Sequence, residues 1–111
     1  MVTYPTIQTN IRTPKLLVLR VKERTTNYNG FAREALTEFC RRLQLKGTTD
    51  DYLQYITYNG KRPRELDVFY REGTQLVTYR LKEIDVQYLK LSQYSTSRAL
   101  HLAILYKLVM S

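Results

Sequence analysis

Residues 98–110 are apolar almost all round, with only Arg98, His101 and Lys107 interrupting Ala99, Leu100, Leu102, Ala103, Ile104, Leu105, Tyr106, Leu108, Val109 and Met110. A helix of this composition has no wet face of its own and must be covered on more than one side. It is shorter than the roughly 20 residues that cross a bilayer, so its cover has to be protein. That cover is either the rest of this chain or a second copy of it.

The remaining apolar residues supply candidates. Between residues 27 and 45, Tyr28, Phe31, Ala32, Ala35, Leu36, Phe39, Cys40 and Leu43 recur at helical spacing, with Arg33, Glu34, Glu38, Arg41 and Arg42 opposite. This is an amphipathic helix whose stripe belongs to the core. Asn27 or Asn29 can cap its start, and Lys46-Gly47 supplies its stop. Residues 15–21, Lys-Leu-Leu-Val-Leu-Arg-Val, form a short β-rich run after Pro14, which predicts a buried strand. Residues 1–14, with Pro5, Pro14 and repeated threonine, read as an extended arm whose Arg12 can follow a phosphate backbone. Residues 51–58 fit a strand and a helix equally well. The expected fold is one small α+β domain over residues 15–111: an N-terminal strand and amphipathic helix, then a strand-helix-helix segment over 75–110.

Charge narrows the function. The 111 residues hold 18 Lys+Arg against 10 Asp+Glu, a net charge of +8. Nine basic and five acidic residues lie in each of the segments 1–60 and 61–111, so the charge is not a basic tail. A sequence pI near 9.7 spread over a folded domain is the electrostatic footprint of a nucleic-acid partner. Ten tyrosines, several beside basic residues as in Tyr70-Arg71 and Tyr79-Arg80, add groups that stack on bases or donate to phosphates. The turn that starts at Asn59-Gly60 carries Lys61, Arg62 and Arg64, a candidate phosphate contact.

Enzyme chemistry is hard to assemble from these residues. The single imidazole, His101, lies within the most apolar segment, where a satisfied core histidine is the simpler reading. Cys40 has no second cysteine to pair with or share a metal, Asp50-Asp51 reads as a helix or turn start, and the four glycines form no phosphate loop. Glu65, Asp67, Glu83 and Asp85 would have to converge to make a metal-dependent nuclease, and their spacing does not require it. The expectation is a non-enzymatic protein with no cofactor, no metal and no small-molecule substrate. No charged, apolar leader opens the sequence, and no segment is apolar enough to span a membrane, which predicts a cytoplasmic protein without membrane contact.

The C-terminal segment is the most informative. Residues 75–81 alternate, placing Val77, Tyr79 and Leu81 on one face and Leu76, Thr78 and Arg80 on the other. Residues 83–93 follow as a short helix with Ile84, Tyr88 and Leu91 in line, and Tyr94-Ser95-Thr96-Ser97 is a polar break that can cap the last helix. Strand, short helix, Ser/Thr turn and apolar helix in this order resemble the ribbon-helix-helix family of small dimeric DNA-binding repressors. The resemblance covers about a third of the chain, Val77 to Val109. It implies a homodimer in which two such strands pair antiparallel and enter the major groove of double-stranded DNA. It implies that Leu76, Thr78 and Arg80 face base edges, with Lys82 at the ribbon's end, and that amides around Ser95, Thr96 and Ser97 hold a phosphate. Leu76 departs from the family, which usually offers a polar reader there, and the helix-helix turn lacks the expected glycine.

The same residues permit an intramolecular hairpin between 66–70 and 75–81 through Gly73, and Ile84, Val86 and Tyr88 alternate as a third strand would. Three functions follow. The first is a sequence-specific DNA-binding homodimer, a transcriptional repressor or accessory factor of a plasmid, phage or virus. The second is a monomeric module for RNA or single strands, and the third an adaptor that docks its apolar C-terminal helix on a partner.

Overall fold

A computed structural model describes residues 4–110. The chain begins with strand β1 (Thr6–Pro14) and helices α1 (Lys15–Lys22) and α2 (Tyr28–Gln44). Helix α3 (Asp50–Ile56), helix α4 (Arg64–Asp67) and a 3-10 turn (Val68–Tyr70) connect these to strand β2 (Thr74–Lys82) and helices α5 (Glu83–Leu91) and α6 (Thr96–Met110). This is a small α+β domain around a two-stranded antiparallel sheet.

Helix α6 finds its cover within the chain. Ala99, Leu100, Leu102, Ala103, Ile104 and Leu105 are buried in one cluster with Ala32, Leu36 and Phe39 of α2, Leu17 and Val21 of α1, and Tyr79 and Leu81 of β2. Each fully buried leucine or isoleucine there contributes about 1.5–3 kcal/mol. Only its last turn, Val109 and Met110, stands out into solvent. Among the described residues no helix is long and apolar enough to cross a membrane.

Residues 15–21, expected as a strand, form helix α1. An apolar run this short does not distinguish the two, and burial decides: Leu17, Val18 and Val21 sit on one helical face against the core while Leu19 is exposed. The N-terminal strand lies earlier, in the stretch expected to be an arm. Met1, Val2 and Thr3 of that stretch lie outside the described residues. Residues 51–56 belong to helix α3, with Tyr55 and Ile56 facing the core, and Thr57 and Tyr58 follow as a turn.

β1 runs antiparallel to β2 with Thr6 opposite Lys82, Asn10 opposite Thr78 and Pro14 opposite Thr74. The expected pairing of residues 75–81 with their twin in a second copy is therefore replaced by pairing within the chain. The other edge of β2 is also occupied: Arg80 N–H donates to Asn29 Oδ1 (2.8 Å), and Asn29 Nδ2 donates to Thr78 O (3.1 Å). Neither edge is left for another strand. The hairpin through Gly73 is likewise absent, since residues 64–70 coil into α4 and the 3-10 turn, and the third strand is helix α5. Gly73 does take positive φ (82°), as the turn into β2.

The two strand-helix-helix units are alike. An offset of 68 residues, the separation of Asn10 and Thr78, carries Thr6–Pro14 onto Thr74–Lys82 and Lys15 onto Glu83, the first residues of α1 and α5. Three pairs of hydrogen bonds obey the same offset. Lys15 N–H donates to Gly73 O and Glu83 N–H to Pro5 O, both at 3.0 Å. Asn27 Oδ1 caps α2 through Gly30 N–H (3.0 Å), and Ser95 Oγ caps α6 through Arg98 N–H (3.2 Å). Arg33 Nη1 donates to Arg80 O (3.1 Å), and His101 Nε2 donates to Arg12 O (2.9 Å). The chain is thus an approximate twofold dimer of strand-helix-helix units made from one polypeptide. Thr6/Thr74, Arg12/Arg80, Val18/Val86, Lys22/Lys90 and Ala35/Ala103 are identical at this offset.

Candidate nucleic-acid interface

A two-stranded ribbon with helices packed on one face leaves its other face to solvent. Period-two alternation puts Gln8, Asn10 and Arg12 of β1 and Leu76, Thr78 and Arg80 of β2 on that face, and all six are exposed. The division of β2 into an outward Leu76, Thr78, Arg80 and an inward Val77, Tyr79, Leu81 is the one expected from its sequence. Across the ribbon Gln8 stands opposite Arg80, Asn10 opposite Thr78, and Arg12 opposite Leu76. Thr78 Oγ1 donates to Asn10 Oδ1 (2.8 Å), which leaves the Asn10 amide NH2 to outside partners. Neither strand contains a carboxylate. The guanidinium groups of Arg12 and Arg80 make no hydrogen bond or ion pair within the described chain, so both can engage another molecule.

The backbone beneath these side chains is fixed from both sides. Asn29 and Arg33, one helical turn apart on α2, hold the backbone of Thr78 and Arg80, and His101 of α6 holds the carbonyl of Arg12. A carbonyl only accepts, so the His101 proton sits on Nε2 and Nδ1 accepts from Tyr70 Oη (2.9 Å). Burial, with a contribution from the nearby Arg62 charge, pulls the His101 pKa down to about 4, keeping the ring neutral. His101 is thus a fully partnered buried group. Below the ribbon a chain of hydroxyls anchors its inward face. Thr13 Oγ1 donates to Ile11 O (3.2 Å), leaving Tyr79 Oη to donate to Thr13 (2.7 Å) and Tyr28 Oη to donate to Tyr79 (2.7 Å).

The other expected contacts are distributed unevenly. Lys82 lies at the ribbon's end with its ammonium 3.9 Å from the centre of the Tyr4 ring. Thr96 and Ser97 occupy the first turn of α6, where amides lack intrahelical acceptors. Ser95 does not join them: its N–H donates to Ile56 O (2.6 Å) and its hydroxyl is the cap, so its amide is spent on the fold. Arg62 stacks on Tyr70 (3.5 Å to the ring centre), pairs with Asp67 (3.0 Å), and lines a cleft with Arg12, Thr74, Ser97 and Arg98 beside the ribbon. Lys61 and Arg64 line a different groove, beside Asp51 and Glu65. Among the described residues no group of three His, Cys, Asp or Glu side chains is placed to hold a metal ion.

Sequence reasoning missed Gln8 and Asn10 and placed Arg12 on an arm, as a phosphate contact only. Gln8, Asn10 and Arg12 alternate with Ile7, Thr9 and Ile11, and that alternation was the available signal. Asn29 and Arg33 carried none, because their role depends on where α2 crosses β2. Compared with known proteins, the chain matches no family model, no curated protein and no solved structure.

Proposed function

We propose that this chain is a sequence-specific DNA-binding protein of the ribbon-helix-helix kind, in which one polypeptide supplies both strands of the reading ribbon. The observation that carries this reading is the ribbon's outward face: amide, hydroxyl and guanidinium groups with one leucine and no carboxylate, on a backbone clamped by both flanking helices. The major groove of B-DNA, about 12 Å wide, admits a two-stranded ribbon. Arg12 and Arg80 then meet guanine O6 and N7, Gln8 meets adenine N6 and N7, and the Asn10 amide NH2 donates to a base-edge acceptor. The amides of Thr96 and Ser97 and the Arg62 cleft take phosphates beside the groove.

The face offers no aromatic ring for stacking unpaired bases, which favours duplex over single strands. A second copy is not needed to complete the ribbon. The role that suits such a reader is a transcriptional repressor or accessory factor acting on cytoplasmic DNA. Titration of mixed-sequence duplex and single strands at several salt concentrations tests the reading. Duplex is bound more tightly, log K falls linearly with log salt, and Arg12→Ala/Arg80→Ala loses the binding. Preference for single strands, or affinity indifferent to salt, contradicts it.

A further inference from the structure

The two halves of the ribbon face are equivalent in position and different in chemistry. The 68-residue offset superimposes Gln8 on Leu76, Asn10 on Thr78 and Arg12 on Arg80. One end of the face therefore presents Gln8 with Arg80, and the other presents Leu76 with Arg12. In a ribbon built from two identical chains both ends would match, and the preferred DNA site would be an inverted repeat. Here the guanidiniums keep the symmetry while Leu76 breaks it. Leu76 is 61% exposed, and a large apolar side chain held out on a polar ribbon gains most by covering another apolar group.

We infer that the chain recognises a non-palindromic duplex site in a single orientation, and this rests on the DNA-reading function proposed above. Each half-site holds a guanine for an arginine. At the Gln8 end the neighbouring base is one that both donates and accepts in the major groove, which is adenine. At the Leu76 end the equivalent base is thymine, whose C5-methyl group packs on the leucine. Thr78 against Asn10 repeats the difference at the centre, where the hydroxyl is committed to Asn10 Oδ1 and only the Asn10 amide NH2 is left to donate. The cleft lined by Arg62, Ser97 and Arg98 beside Arg12 lies at the Leu76 end.

Selection of duplexes from a randomised pool by the full chain, and by the variant Leu76→Gln/Thr78→Asn, tests this. The variant carries Gln, Asn and Arg at equivalent positions on both strands. The wild-type chain is expected to enrich a site without inverted-repeat symmetry, and the variant to enrich an inverted repeat of the half read by Gln8. Within the wild-type site, replacing the thymine at the Leu76 end by uracil removes one methyl and lowers affinity several-fold. Replacing the adenine at the Gln8 end lowers it roughly 5- to 150-fold. Leu76→Gln alone changes an exposed side chain and serves as a second variant if the double substitution disturbs folding, its site gaining adenine for thymine at one end. A palindromic site for the wild-type chain, or identical sites for wild type and variants, overturns the inference while leaving DNA reading intact. Failure of the wild-type chain to enrich any duplex overturns the DNA-reading function and the inference with it.

Discussion

Thr78 donates its hydroxyl proton to the side-chain oxygen of Asn10 across 2.8 Å, at the point where the chain's two halves meet. The two residues face each other in the ribbon register and are also related by the offset that superimposes the halves, so the approximate twofold axis passes between them.

The outward arginines separate stability from binding. Arg12 and Arg80 are exposed, and their guanidiniums make no hydrogen bond or ion pair within the described chain. Arg12→Ala and Arg80→Ala should each leave thermal stability within about 0.5 kcal/mol of wild type. Duplex affinity should fall by about 1–3 kcal/mol for each. Calorimetric melting and fluorescence anisotropy read the two effects independently.

Asn29 is a positioning residue for the same face. Its side chain both donates and accepts on the backbone of β2, at Thr78 O and Arg80 N. Asn29→Ala should cost about 1–3 kcal/mol of stability for two lost hydrogen bonds. Duplex affinity should drop even where the fold stays fully populated, because Arg80 loses its fixed backbone. Asn29→Asp keeps the acceptor for Arg80 N–H but sets a carboxylate oxygen against the Thr78 carbonyl, so it should not restore duplex affinity.

The hydroxyl chain beneath the ribbon should behave as a unit. Tyr79→Phe removes the acceptor of Tyr28 and leaves a buried hydroxyl unpaired, at a cost of about 1–3 kcal/mol. Tyr28→Phe/Tyr79→Phe should cost less than the sum of the single changes, since both partners then leave together. Denaturant titrations of the four proteins of this cycle give the coupling.

His101 should make the fold acid-sensitive. Its pKa falls from 6.5 to about 4 on burial, so between these values the unfolded chain binds the proton and the folded chain does not. Stability is then fully present above about pH 6.5 and is lost as pH falls towards 4, by up to about 3 kcal/mol from this group. The difference between wild type and His101→Gln, followed by urea unfolding from pH 7 to 4, isolates the histidine from the carboxylates that titrate in the same range. A flat difference would remove His101 as the cause.

Helix α2 and strand β2 were legible in the sequence because each carries a full period of burial along its length, and helix α6 because it is apolar almost all round. Helix α5 was placed but its face misread, since Ile84 and Leu91 are exposed while Val86 and Leu89 face the core. Tyr28, Ala32, Ala35, Leu36, Phe39, Cys40 and Leu43 mark one helix face, and Tyr79 and Leu81 one strand face. β1 was harder to read, because threonine supplies part of its inward face and leaves only Ile7 and Ile11 to mark the alternation. Thr13 is fully buried through its hydroxyl partners, and Thr9 adds no apolar signal. Helix α1 was misread for the opposite reason, as leucine and valine fill a run too short to show its period. The repeat was hidden because equivalent positions solve the same problem with different chemistry. Asn27 and Ser95 both cap helices, and Arg33 and His101 both bind a strand carbonyl, so the likeness lies in hydrogen bonds and not in residue identity.

Whether one chain forms a complete reading ribbon is tested most directly by the mass of the protein bound to its selected duplex. Light scattering should give one 13.2 kDa chain per duplex, with no second copy added as protein is raised to a modest excess. Two chains joining each duplex in a single cooperative step, with no complex of one chain at any ratio, would contradict it.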